Sequence, residues 1–106
     1  MKTAFVAFAL GLAAATAASA APLVLTLENH RFTPSAITVP AGRKIEIQLI
    51  NLDPAVEEFD SRDLRVEEDV TPHGRTSFTV GPLKPGAYSF MGEFHAGTAE
   101  GVITAR

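Results

Sequence analysis

From Leu23 onward, large apolar residues recur on every second position. Leu23, Leu25 and Leu27 alternate with Val24 and Thr26, and Ile45, Ile47 and Leu49 alternate with Glu46 and Gln48. A period of two places one set of side chains on one face of an extended segment, so each run predicts a strand with one wet face and one dry face. Between the two lies a β-branched run, Ile37 to Val39, closed by the turn signal Pro40-Ala41-Gly42. Phe78 and Val80, then Tyr88 and Phe90, then Val102 to Ala105 continue the pattern. No window carries a helical period of useful length, and Ser61 to Asp69 is the one stretch with room for a short helical turn.

The separators agree with the strands. Thr33-Pro34-Ser35, Asp53-Pro54, Pro72-His73-Gly74 and Lys84-Pro85-Gly86 each join a residue of fixed or permissive φ to a short polar one. Short strands between such turns, with no alternating helices, predict an all-β sandwich or barrel. In "LKPGAY", Tyr88 stands where a tyrosine corner would put its ring in the core and its hydroxyl on a loop backbone, which favours a Greek-key topology.

The first twenty residues read differently. Lys2 precedes an almost wholly small or apolar run from Ala4 to Ala17, and Ala18-Ser19-Ala20 is an A-x-A cleavage site ahead of Ala21. Residues 1–20 are therefore expected to be a cleaved signal peptide, with a bacterial periplasm as the destination. The run is short for a membrane span and lacks a stop-transfer flank, so the protein is not expected to be membrane-embedded. Residues 21–106 then form one domain of 86 residues.

Composition narrows the chemistry. The chain has no cysteine, which removes disulfides, thiolate nucleophiles and thiolate metal sites. Twelve acids all follow residue 20 while one of the nine bases, Lys2, precedes it, so the domain carries eight bases against twelve acids. No basic stripe for nucleic acid is present. Nor is there a nucleophile elbow, an H-E-x-x-H or a phosphate-binding glycine loop.

The order "HRFTPSAITVPAG", "IEIQLINLD", "EEFDS" and "LKPGAYSFMGEFHAGTAEGVITAR" resembles the cupredoxins, and most closely the EfeO-type cupredoxin-like domains found with bacterial periplasmic iron-uptake systems. The resemblance covers nearly all of residues 21–106 and implies a Greek-key β-sandwich. It also implies where a metal would sit, because in the family three connections gather at one end. Blue-copper members carry His, then Cys-x-x-His, then Met there. In this chain Gly92 stands at the Cys position, Thr98 or Ala99 at the Met position, and "EEF" replaces the segment with the first His, so only His95 remains. Type 1 copper is excluded on ligand chemistry.

What the resemblance leaves is an imidazole and carboxylate set: His30, Glu58, Glu93 and His95, with Asp60 and Met91 nearby. Such donors suit Cu(II), Fe, Mn or Zn. Glu57 and Glu58 compete, since neighbours on a strand face opposite ways. If Phe59 is in the core, Glu57 shares its face and best replaces the lost His. Glu58, flanking Phe59 together with Asp60, matches the acid–aromatic–acid pattern of the EfeO-type domains, and we assign Glu58 on that ground. Glu67-Glu68-Asp69 reads either as a solvated surface run or as a second patch that attracts cations, and His73 as an exposed turn residue.

The expected function is that of a periplasmic metal-binding protein holding non-blue copper or iron. It would support iron uptake or Fe(II) oxidation beside an iron permease or a periplasmic iron-binding protein, at most as an accessory to an enzyme. The alternative is a metal-free sandwich that docks on a transport partner.

Overall fold

The alternation of the sequence becomes two packed sheets in the computed structural model of the protein, which describes residues 21–106. The expected signal peptide, residues 1–20, lies outside the described residues. Nine strands follow one another: β1 (Leu23–Glu28), β2 (Arg31–Thr33), β3 (Ala36–Val39), β4 (Ile45–Asn51), β5 (Glu57–Ser61), β6 (Val66–Val70), β7 (Arg75–Val80), β8 (Gly86–Gly92) and β9 (Glu100–Ala105). One sheet runs β2-β1-β4-β7 and the other β3-β9-β8-β5-β6. Neighbours are antiparallel except β1 with β4 and β3 with β9, which lie parallel. This is a Greek-key β-sandwich.

The period of two decides which side chains meet between the sheets. Leu25, Leu27, Ile47, Leu49, Phe59 and Ile103 are fully buried, whereas Glu46 and Thr38 on the intervening positions are exposed. Phe59 is the centre of an aromatic cluster, stacked on Phe90 at 4.9 Å and edge-on to Phe32 at 6.0 Å. Truncating such a ring costs about 3–5 kcal/mol. Tyr88 forms the expected corner, its hydroxyl donating to the Lys84 carbonyl at 2.7 Å.

Ser61 to Asp69 contains no helix. Strand β5 ends at Ser61, residues 62–65 form a turn, and β6 begins at Val66. The reason is that this segment's polar side chains serve the neighbouring strand. The Ser61 hydroxyl donates to the Ser89 carbonyl at 2.7 Å, and the Asp63 carboxylate accepts the Ser89 N–H at 3.0 Å. A single 3₁₀ turn, Glu93–His95, follows β8 instead, where the His95 carbonyl accepts the N–H groups of Thr98 and Ala99. Among the described residues no helix is long and apolar enough to cross a membrane.

Candidate functional site

Three connections converge at one end of the sandwich: the β1–β2 turn, the β4–β5 loop and the 3₁₀ turn after β8. The centre of the site is Glu57, the first residue of β5, which is 1% exposed. Its parity with Phe59 turns it inward. One carboxylate oxygen accepts the N–H groups of Phe94 at 2.8 Å and Glu58 at 3.0 Å; the other meets His95 Nδ1 at 2.6 Å. A carboxylate is the natural acceptor for an imidazole N–H, so this contact assigns the proton to Nδ1 and leaves the Nε2 lone pair of His95 available. The His95 side chain is 29% exposed.

His30 covers that ring. The two imidazoles stack at 3.6 Å between centroids and 9° between planes. His30 reaches this place from a two-residue turn in which Asn29 and His30 both take positive φ, 54° and 58°. Asn tolerates that conformation; a His there costs roughly 1–2 kcal/mol. Asp53 holds the turn, accepting the N–H of Asn29 at 2.7 Å and of His30 at 2.9 Å, while its own N–H donates to Asn51 Oδ1 at 2.9 Å. Asn51, fully buried at the end of β4, is anchored by the carbonyls of Ala55 and Thr71. Burial alone would raise the Asp53 carboxyl. The backbone N–H groups of His30 and Asn29, with the His30 and His95 imidazoles, outweigh it and hold the group below its ordinary 3.8.

The four residues expected as ligands are therefore divided. His30 and His95 meet. Glu58 stands on the opposite face of β5, opposite Asp69 in the register, and Asp60 beside it pairs with Glu67. Loss of solvation, then repulsion from Glu67, Asp69, Asp60 and Glu93, raises the Glu58 carboxyl above its ordinary value. Glu93 is exposed and contributes to the repulsion at Glu58. Glu57 and Asp53 supply the carboxylates that do meet the histidines. Both left a signal: Glu57 in its parity with Phe59, and Asp53 through Asn51, whose parity with Ile45, Ile47 and Leu49 requires a buried amide with partners. Among the described residues, no group of three or more His, Cys, Asp or Glu side chains converges as a metal site would require. The stack explains part of this, because imidazole lone pairs lie in the ring planes and two parallel planes cannot meet at one ion.

The profile of the cupredoxin-like domain family matches residues 2–105. The uncharacterized protein RP394 of Rickettsia prowazekii (strain Madrid E) is 42% identical over 79 residues, 74% of this chain. The match spans 63% of that relative's length. Among solved structures, reduced auracyanin of Roseiflexus castenholzii superposes with a TM-score of 0.67 at 17% identity, covering 84% of this chain and 99% of that one. The metal-binding domain of the Cu(I)-exporting P-type ATPase CopA of Streptococcus pneumoniae D39, with Cu(I), gives 0.71 at 16% identity, covering 80% and 84%. Amicyanin of Paracoccus versutus gives 0.63 at 14%, covering 84% and 85%. These likenesses establish the fold.

Proposed function

The chain belongs to the cupredoxin-like domain family, and from that premise we propose that it is an exported periplasmic protein that takes up and hands on a metal ion as cargo. Its residues do not fit the resident copper of the blue members. Gly92 offers no thiolate, and a β-carbon there would stand 2.7 Å from the Glu57 carboxyl carbon and 2.8 Å from the Ala99 side chain. The space is filled by a carboxylate already satisfied by three donors. Resemblance to the EfeO-type domains favours iron uptake as the setting, beside an iron permease or a periplasmic iron-binding protein, and residues 1–20 favour export.

The single observation that carries the reading is the 2.6 Å contact between Glu57 and His95 Nδ1. A carboxylate on one ring nitrogen fixes the orientation of an imidazole and raises the basicity of the other nitrogen, as around metal-binding histidines generally. A partly exposed imidazole with few protein donors beside it binds a borderline divalent ion such as Cu(II) or Fe(II) exchangeably. That suits delivery. Any part in Fe(II) oxidation needs an electron acceptor from elsewhere.

Equilibrium dialysis against Cu(II), and against Fe(II) without oxygen, tests the reading. Wild type is expected to bind about 10–100-fold more tightly than His95→Ala. Equal retention by both proteins defeats it. A second reading, a docking module, is favoured by the exposed apolar side chains Leu52, Val56 and Phe94 on the connections around the site. It gains if wild type retains no more metal than His95→Ala.

A further inference from the structure

Resting on that reading, we propose that Asp53 is a positioning residue that presents His30 as the second, re-aimable imidazole of a two-histidine cation site with His95. The two rings are held in different ways. His95 is fixed by a 2.6 Å contact to a buried carboxylate. His30 is fixed at its backbone, through the 2.9 Å bond from its N–H to Asp53, while its ring nitrogen Nδ1 stands 3.4 Å from the same carboxylate, beyond hydrogen-bond length for this pair. Its side chain is 42% exposed. The ring of His30 is held by its stack on His95 and by that 3.4 Å approach rather than by a hydrogen bond, so turning it about its side-chain torsions leaves the backbone bond beneath it intact.

Such freedom is what the stack requires. The parallel rings cannot share an ion, so one must tilt, and only His30 can do so at no loss of a strong contact. A single ion bound to two imidazoles at about 2.0–2.1 Å separates their nitrogens by a distance comparable with the present ring spacing, so the movement is a tilt rather than a rebuilding. The occupant is a divalent transition ion that accepts two adjacent imidazoles.

The choice of residue at position 30 supports the assignment. A turn with positive φ at both positions is met most readily by Asn-Gly, and this chain has Asn-His. Arg65 and His73 share this positive φ, so what sets position 30 apart is the stack of its ring on a second imidazole. Asp53 holds the turn through two N–H bonds and is itself anchored by Asn51 in the core.

Cu(II) added to the intact protein is the probe, with electron spin-echo envelope modulation counting coordinated imidazoles. Wild type is expected to show two. His30→Asn, which suits the turn and keeps every Asp53 bond, is expected to show one and about 10-fold or more weaker binding. Asp53→Asn, close in shape but with an amide nitrogen facing one of the two N–H donors, is expected to lose the second imidazole in a large fraction of molecules, with melting temperature recorded in parallel. One imidazole in wild type overturns the proposal and leaves the proposed function standing. Two in His30→Asn also overturns it and transfers the second ligand to His73, the remaining histidine. Two in Asp53→Asn removes Asp53 from the role. No Cu(II) bound by wild type ends both this proposal and the function on which it rests.

Discussion

Two carboxylate–imidazole pairs lie face to face at the loop end of this sandwich, built on opposite plans. In the Glu57–His95 pair the carboxylate is sunk in the core at the start of a strand and the contact is between side chains. In the Asp53–His30 pair the carboxylate sits on a loop and spends its hydrogen bonds on the backbone of a turn. The first arrangement sets a ring; the second sets a chain path and leaves the ring held by its stack and a 3.4 Å approach to the carboxylate. Both carboxylates are buried, Glu57 at 1% exposed and Asp53 at 5%, so the difference lies in the donors beside them: an imidazole as well as two backbone N–H groups for Glu57, and the two N–H groups of a turn at positive φ for Asp53.

The comparison can be broken most severely at Glu57. Glu57→Ala removes the acceptor of two backbone N–H groups and one imidazole and leaves a hole beside Gly92, with an expected loss of about 3–5 kcal/mol in urea denaturation. A loss below about 1 kcal/mol shows that the carboxylate is not the centre of the site. Asp53→Ala removes two backbone bonds to a charged acceptor at a less enclosed place, and about 2–3 kcal/mol is expected. If it costs more than Glu57→Ala, the ranking of the two pairs is reversed.

Acid sharpens the contrast further. The Asp53 carboxyl is held below its ordinary 3.8, so its contribution is complete above that value and is lost as pH falls through the lower, folded value. Asp63 moves in the same direction, held down by the N–H and hydroxyl of Ser89. The denaturation midpoint of wild type is therefore expected to fall below pH 3.8, and Asp53→Asn to flatten part of that fall. An unchanged slope in the variant removes Asp53 as its source. The smallest effect is expected from His30→Asn, where relief of turn strain offsets the lost stack and the net change stays within about 0.5 kcal/mol. A larger loss means that the stack itself supports the fold.

Much of this is legible in the sequence itself. Alternation placed Leu25, Leu27, Ile47 and Leu49 on a dry face, and "LKPGAY" marked the corner that Tyr88 makes. Parity alone also set Glu57 on the side of Phe59; the acid–aromatic–acid pattern pointed instead to Glu58, which the strand turns outward. The stacking of His30 on His95 was beyond reach of any local pattern, since it depends on a loop 23 residues downstream that folds back to clasp the turn. Ser61 to Asp69, the one stretch with room for a helical turn, forms a strand end, a turn and a strand, because Ser61 and Asp63 bond to β8, a partner invisible in the segment itself.

Residues 30, 57 and 95 lie far apart along the chain and become neighbours only when both sheets are complete. An ion that needs more than one of them recognises the finished molecule and ignores the unfolded polymer, so each tenfold rise in free ion above its dissociation constant would weight the finished molecule by about 1.4 kcal/mol. Melting temperature then becomes a meter of occupancy, and a partner that strips the cargo would register as a falling one.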